Sequence, residues 1–197
     1  MKKLSLMVIA IASLTSATHA LAQGMDLAFG VSTVTSAQTV FNTSSGLYYP
    51  SLRGGAYPGF SADFLMHRSL GIEGELFWRA SQGLYGLQPY RPIFWNFNAI
   101  WAPRIGKHFA GELVGGIGAT DTRFYGLINY SPFSGYTNYV SSTHFDGDFG
   151  AGLRAYFWHG AFLRPEVRLY LIHNNTAEFS SNEVLRYGVS LGYSFGR

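Results

Sequence analysis

The sequence predicts an all-β fold, an eight-stranded antiparallel up-and-down transmembrane β-barrel preceded by a cleavable signal peptide. Three observations predict it. Apolar residues recur at every second position, the connections between candidate strands alternate between short and long, and charged residues are scarce. The chain has 197 residues, of which 47% are hydrophobic, 17% aromatic and 13% charged, against about 25% charged residues in soluble domains. This much apolar surface excludes a disordered chain.

Residues 1–22 have the pattern of a secretory signal peptide. Lys2 and Lys3 precede an apolar run at 4–14, and a small-residue cleavage site ends at Ala22. The alternative, a membrane-anchoring helix, is disfavoured because the run is too short to span about 30 Å of hydrocarbon. We expect cleavage after Ala22, with the barrel formed by residues 23–197.

The charge balance argues against a nucleic-acid partner. Removing Lys2 and Lys3 lowers the formal charge from +3 to about +1, leaves Lys107 as the only lysine, and leaves no basic stripe. The chain has no cysteine and 6 histidines, which disfavours a zinc site. The glycines follow the strands and form no phosphate-binding loop, so no cofactor is expected. Beyond the signal there is no apolar stretch of about 20 residues that could form a membrane-spanning helix.

The alternation places the strands in order along the chain. The last strand is the clearest example, with Leu185, Tyr187 and Val189 on one face and Arg186, Gly188 and Ser190 on the other. Candidate strands cover 26–35, 59–67, 71–79, 93–102, 109–120, 145–157, 163–171 and 185–195. The connections are short at 68–70, 103–108 and 159–161, and longer at 37–57, 80–92, 121–143 and 174–184. Tight turns on one side and long loops on the other are typical of outer-membrane barrels.

Side-chain volume decides which face points outward. An eight-stranded barrel has an interior only just wide enough for side chains, and one face of these strands carries too many rings to fit. That apolar face contains Phe29, Phe60, Phe64, Leu76, Trp78, Trp95, Phe97, Trp101, Phe149, Phe157, Tyr187, Tyr193 and Phe195. The opposite face is dominated by glycine, serine, asparagine and the charged residues. Because a charge facing lipid at mid-depth costs about 2–4 kcal/mol, the apolar face is predicted to contact lipid, in a bacterial outer membrane.

At this point the chain resembles the small outer-membrane β-barrel family of the OmpA/OmpX type, over essentially all of its mature length. The last strand is similar to the family's C-terminal insertion signal, with Arg186, Gly188, Leu191 and Tyr193 at the matching spacing and Phe195 beyond them. The resemblance implies recognition by the barrel-assembly machinery, as well as contact with outer-membrane lipid and lipopolysaccharide. The chain departs from the family by continuing past Phe195 to Gly196 and Arg197.

Charged residues on the inward face form the first candidate site, a lumen ion network. It consists of Glu73, Glu75, Glu112, Arg154, Arg164, Glu166, Arg168 and Arg186. Mixed charges in a narrow interior must pair to offset desolvation, which favours a network that plugs the lumen. The alternative, a pore or proton path, would require the ion pairs to open. Glu73 and Glu75 also suggest an acid and base pair, but they lack an obvious cleft.

Aromatic residues of the third outer loop form the second candidate site. They are Tyr125, Tyr130, Phe133, Tyr136 and Tyr139. Tyrosine offers a large contact area at low entropic cost and is favoured at recognition surfaces. These residues either bind a surface ligand, whose identity the sequence leaves unknown, or settle on lipopolysaccharide headgroups.

Two further hypotheses receive less support. Outer-membrane lipid A deacylases are also eight-stranded barrels, and in that family a histidine is followed two residues later by the nucleophilic serine. Here His173 is followed by Asn174 and Asn175, and Ser180, Ser181 and Glu183 have the wrong spacing. Asp121, Asp146 and Asp148 suggest calcium ligands, but three dispersed aspartates favour a solvated loop base, so no metal is expected.

The sequence therefore predicts a non-enzymatic envelope protein that makes surface contacts through its outer loops. The first alternative is a pore or transporter for small solutes or ions. The second is a lipid A deacylase.

Overall fold

The computed structural model describes residues 24–39, 41–42, 47–67, 69–131 and 135–196. The predicted signal peptide at 1–22 and the loop residue Phe133 lie outside these ranges, so the domain boundary stays a prediction. Among the described residues no helix is long and apolar enough to cross a membrane.

Eight long strands form the barrel, as the alternation predicts. They are β1 Gly24–Thr35, β2 Tyr57–His67, β3 Leu70–Trp78, β4 Gln88–Trp101, β5 Phe109–Ser131, β6 Gly135–Trp158, β7 Ala161–Ile172 and β8 Glu183–Phe195. Each pairs antiparallel with the next, and β8 pairs with β1 from Thr35 opposite Leu185 to Met25 opposite Phe195. The sheet is therefore closed, and the wall can satisfy its own backbone hydrogen bonds where no water is present.

Besides the eight long strands, the described residues form four short strands and one helical turn. The short strands are Phe41–Asn42, Leu47–Tyr48, Gly83–Tyr85 and Arg104–Ile105, and the turn is the 3-10 helix Asn175–Ala177. The short strand Gly83–Tyr85 extends the outer end of β4 by pairing with Gln88–Tyr90.

The two faces of the wall have the predicted orientation. Large apolar side chains point outward, as shown by Phe29 and Phe97, each 69% exposed, while Asn96 and Asn98 on either side of Phe97 are buried inside. From Ile93 to Trp101, the outward face of β4 is apolar over about 27 Å measured along the strand. Because the strands are tilted, the height across the membrane is smaller than this length and approaches the roughly 25 Å of an apolar membrane belt. The exterior is thus a lipid-facing surface.

The predicted long loop at 121–143 is largely strand. β5 and β6 continue as a hairpin beyond their neighbours, with Asp121 opposite Thr143, Arg123 opposite Ser141 and Tyr125 opposite Tyr139. The strand prediction ended early because it relied on contrast between an apolar and a polar face. Beyond Asp121 polar residues occur on both faces of the hairpin, so the contrast weakens while the backbone pairing continues.

Barrel closure brings β1 and β8 into close contact at Gly188. A Cβ atom added to Gly188 would lie 2.5 Å from the Ser32 Cβ and 2.5 Å from the Val31 carbonyl oxygen. Because one of these atoms belongs to the backbone, a side chain at this position would push the two strands apart. Gly147, by contrast, has its nearest neighbours at 3.9 Å.

We expect Gly188→Val to destabilise the folded barrel by about 1–3 kcal/mol, the usual cost of overpacking. Gly147→Val, on the outward face of β6, is the matched control and should fold normally. The measurement is the fraction of protein with heat-modifiable gel mobility after refolding in detergent micelles, without assembly machinery. Equal folded fractions for the two variants would contradict the close-contact argument.

Candidate functional site

The lumen is filled by a layer of paired charges between two apolar layers. The side chains of Arg154, Arg164, Arg168 and Arg186 are each no more than 1% exposed. The inner apolar layer consists of Leu65, Ile100, Ala102 and Val114. Since lipid surrounds the wall, these arginines can be neutralised only from within the barrel.

The carboxylates closest to Arg168 of β7 come from two other strands. Its Nη1 lies 2.8 Å from Glu73 Oε1 of β3 and 3.0 Å from Asp148 Oδ2 of β6. Arg186 of β8 reaches across to β3, where its Nη2 lies 2.8 Å from Glu75 Oε2. These pairs connect opposite sides of the wall and obstruct the lumen between them.

Arg154 of β6 and Arg164 of β7 form the next part of the network. Arg154 Nη2 lies 2.6 Å from Asp63 Oδ2 and 2.6 Å from Glu112 Oε2, and its Nη1 donates to Asp26. Arg164 Nε lies 3.3 Å from Glu166 Oε2. The structure therefore brings all eight residues of the predicted ion network together in one buried cluster.

Several members of the cluster were not among the predicted site residues. They are Asp26, Ser61, Asp63, Asn96, Asn98, Thr120, Asp146, Asp148 and Tyr170. Neutral donors add to the pairing: Asn98 Nδ2 donates to both Glu73 and Asp148, and the Tyr170 hydroxyl donates to Glu75 at 2.7 Å. The period-two pattern places each of them on the inward face, and that was the signal available in the sequence.

The interpretation of Asp146 and Asp148 as a solvated loop base is wrong. Both are fully buried in the wall of β6, where Asp146 accepts hydrogen bonds from Asn96 and Thr120. Asp121 lies apart from them on the outer surface and pairs with Arg123 at 3.3 Å. The described residues contain no group of three or more acidic or histidine side chains arranged to hold a metal.

An apolar cluster closes the outer mouth of the lumen. It contains Val34, Leu52, Tyr57, Tyr90, Phe94, Tyr170, Ile172, Phe179 and Val184, with Tyr85 and Phe124 packed against it. Leu52 and Phe179 come from outer connections, and both are fully buried. Burial in this layer also raises the pKa of Tyr85. We call this cluster the outer plug.

Hydrogen bonds hold the outer connections over the plug. Ser180 N donates to the Pro50 carbonyl oxygen at 3.0 Å, and Thr39 Oγ1 donates to the Ser180 carbonyl oxygen. Asn175 Nδ2 donates to the Ser181 carbonyl oxygen at 2.6 Å. The connection between β1 and β2 and the connection between β7 and β8 therefore form one cover across the mouth of the lumen.

Two of the predicted loop-binding residues meet on the projecting hairpin. The rings of Tyr125 and Tyr139 lie 5.8 Å apart between centroids. The side chains of Tyr130 and Tyr136 lie outside the described part of the structure, as does the whole of Phe133.

The histidines do not assemble a nucleophilic site in the described residues. His173 is exposed at the outer end of β7, while Ser180 and Ser181 are buried in the cover. Another histidine, His144, lies near a serine and a carboxylate: its Nε2 is 3.1 Å from Ser142 Oγ and 3.6 Å from Glu178 Oε1. Both contacts use the same nitrogen, whereas a serine–histidine–acid relay uses both ring nitrogens.

The predicted insertion signal lies on both faces of β8. Leu191, Tyr193 and Phe195 point outward, whereas Arg186 is buried in the ion network and Gly188 lies against β1. Two of its five residues thus also have structural roles in the folded barrel.

Comparison with known proteins shows the fold. No protein-family model and no curated protein sequence matches the chain. Among solved structures, the chain is similar to Neisserial surface protein A, with 10% identity, a TM-score of 0.60, and coverage of 89% of this chain and 97% of that one. It is similar to the Yersinia pestis attachment invasion locus protein Ail, with 12% identity, a TM-score of 0.57, and coverage of 87% and 98%. The outer-membrane protein OprG from Pseudomonas aeruginosa gives 15% identity, a TM-score of 0.52, and coverage of 90% and 98%.

These similarities confirm the fold that the sequence predicts, since each covers nearly the whole of both chains. The architecture, with its apolar exterior, is that of a small bacterial outer-membrane β-barrel of the OmpA/OmpX type.

We expect Arg168→Met to reduce the free energy of unfolding by about 3–5 kcal/mol, because it leaves buried carboxylates without their guanidinium partner. Urea unfolding of the barrel in phospholipid vesicles measures the change. The control is Arg53→Met, at an exposed position of the first outer connection. If the network stabilises the barrel, Arg168→Met will have a lower free energy of unfolding than Arg53→Met. Similar free energies of unfolding for the two variants would show that the network contributes little.

Proposed function

We propose that this protein is a non-enzymatic outer-membrane barrel with a closed lumen, which contributes to the envelope and makes contacts through its outer surface. The observation that carries the proposal is the double closure of the lumen. Four buried arginines are paired across its middle, and the outer plug fills its mouth. Solute passage would require both layers to rearrange.

The projecting hairpin supports a role in surface contact. Pairing of β5 with β4 ends at Phe124, and pairing of β6 with β7 ends at Asp146. The Phe145 carbonyl oxygen still accepts a hydrogen bond from His173 N. Beyond Phe124 and Phe145, the described residues of the hairpin extend from the barrel wall with backbone edges that no neighbouring strand pairs. Such an edge suits a partner that adds a strand or packs against the tyrosines.

The structural neighbours support this class of function. One of them, Ail, is described as an attachment invasion locus protein, and it has been crystallised with the heparin analogue sucrose octasulfate. The same fold therefore binds a ligand in another protein. The proposed partners of this chain are outer-membrane lipid and lipopolysaccharide, with the barrel-assembly machinery acting through the last strand during insertion.

We expect the refolded protein to show no steady single-channel conductance in a planar lipid bilayer, because the paired charges and the outer plug block the lumen. A known porin in the same bilayer is the positive control, and heat-modifiable mobility verifies folding. Discrete, reproducible openings would favour the alternative of a small-solute or ion pore.

We expect cells that express the protein to contain lipid A of unchanged mass, because the described residues assemble no serine–histidine–acid relay. Mass spectrometry of extracted lipid A is the measurement. If a mass shift corresponding to the loss of an acyl chain occurs, the variants His173→Ala and His144→Ala will show which histidine supports the deacylase alternative.

A further inference from the structure

Two arginines face each other on the outward surface, just beyond the lipid-facing belt. Arg91 of β4 and Arg123 of β5 are register partners. They share the face of Ile93, Trp95 and Ile117, so their Cβ atoms are roughly 4.5–5.5 Å apart. Like charges directly opposite one another are destabilising, and an anion bound between them would relieve that repulsion.

The protein supplies only part of that compensation. Asp121 lies 3.3 Å from Arg123 Nε and also accepts a hydrogen bond from Thr143 at 3.0 Å. Arg91 donates to the Ala80 carbonyl oxygen, and among the described residues no carboxylate pairs with it. Of the two guanidinium groups, only that of Arg123 is thus paired with a carboxylate among the described residues, which leaves an excess positive charge at this position.

Two tyrosines hold the guanidinium groups in place. Arg91 lies over the ring of Tyr125 at 5.9 Å, and Arg123 lies over the ring of Tyr139 at 4.9 Å. With the two tyrosines in mutual contact, the four residues form a continuous strip across β4, β5 and β6. We call Arg91, Arg123, Tyr125 and Tyr139 the boundary strip. Stacking restrains both arginines before any ligand arrives, which reduces the entropy lost on binding.

The position of the strip relative to the lipid-facing belt identifies the ligand class. Trp95, Ala119 and Phe145 lie side by side as the last wholly apolar row of the outward face. The row of Arg91 and Arg123 lies two rows further out, at about 7 Å of strand per row. Tyrosine rings are typical of the headgroup level. A ligand at the strip can therefore place its phosphate on the arginines and its acyl chains against the apolar wall.

We propose that the boundary strip binds a phosphate group of an outer-leaflet glycolipid headgroup. The inference rests on the proposed function, because it requires the barrel to lie in the outer membrane. Guanidinium groups bind phosphate oxygens through paired N–H donors, which a lysine at the same position could not provide. On the far side of the barrel the outer end of β8 carries Glu183 instead, so the site occupies one sector of the wall.

The test compares lipid retention by the whole folded protein in a neutral, phosphate-free detergent. Native mass spectrometry measures the retention of diphosphorylated lipid A and of chemically dephosphorylated lipid A. We expect the wild type to prefer the phosphorylated form and the double variant R91Q/R123Q to lose at least about tenfold in its affinity. R53Q, which removes an exposed arginine outside the strip, is the matched control. R91K/R123K keeps the charge but not the paired donors. Its affinity for phosphorylated lipid A should lie between those of the wild type and R91Q/R123Q.

Equal retention of phosphorylated lipid A by wild type and R91Q/R123Q would overturn the inference, as would equal retention of the two lipids by the wild type. Heat-modifiable mobility establishes that each variant is folded. If R91Q/R123Q does not fold, the single variants R91Q and R123Q are compared in the same way. The proposed function fails separately, if the protein is absent from outer-membrane fractions or conducts ions.

Discussion

The width of the lumen is the constraint on which this structure depends. Eight strands enclose a space that side chains can just fill, and among the residues that the structure describes four arginines and eight carboxylic residues are buried there. A buried charge is tolerated only when it is paired and hydrogen bonded. The ion pairs therefore cross from one side of the wall to the other. The lumen is blocked because the charged side chains inside it must be paired.

The same residue type has opposite roles inside and outside the wall. Arg168 and Arg186 are buried, surrounded by carboxylates, and serve the stability of the barrel. Arg91 and Arg123 lie on the outward face and are restrained by tyrosine rings, and of the two only Arg123 pairs with a carboxylate among the described residues. The first pair has no access to a ligand, and the second lies where lipid headgroups would be. Ligand binding is therefore expected on the outer surface and not in the lumen.

Much of the fold could be predicted because the membrane imposes a strict alternation on the wall. All eight long strands and the lipid-facing side were predicted from periodicity and side-chain volume. The prediction was incomplete where that constraint ends. The hairpin beyond Asp121 has polar residues on both faces, and Leu52 and Phe179 reach the outer plug through connections whose path no local pattern specifies. The alternation places Asp146 and Asp148 on the inward face, but they follow a predicted loop, and they were therefore predicted to be exposed to solvent. Arg91 and Arg123 become a pair only when the register of β4 with β5 is known.

The polar interior also explains how the strands select their register. In a barrel with an apolar exterior, shifting one strand by a single residue moves its inward side chains to the lipid face. For β7 that shift would bring Arg164, Glu166 and Arg168 into contact with lipid, each arginine at a cost of about 2–4 kcal/mol. An apolar interior would impose no such penalty, because either face could then contact lipid. The network that obstructs the lumen is therefore also what distinguishes the inside of this barrel from the outside during assembly.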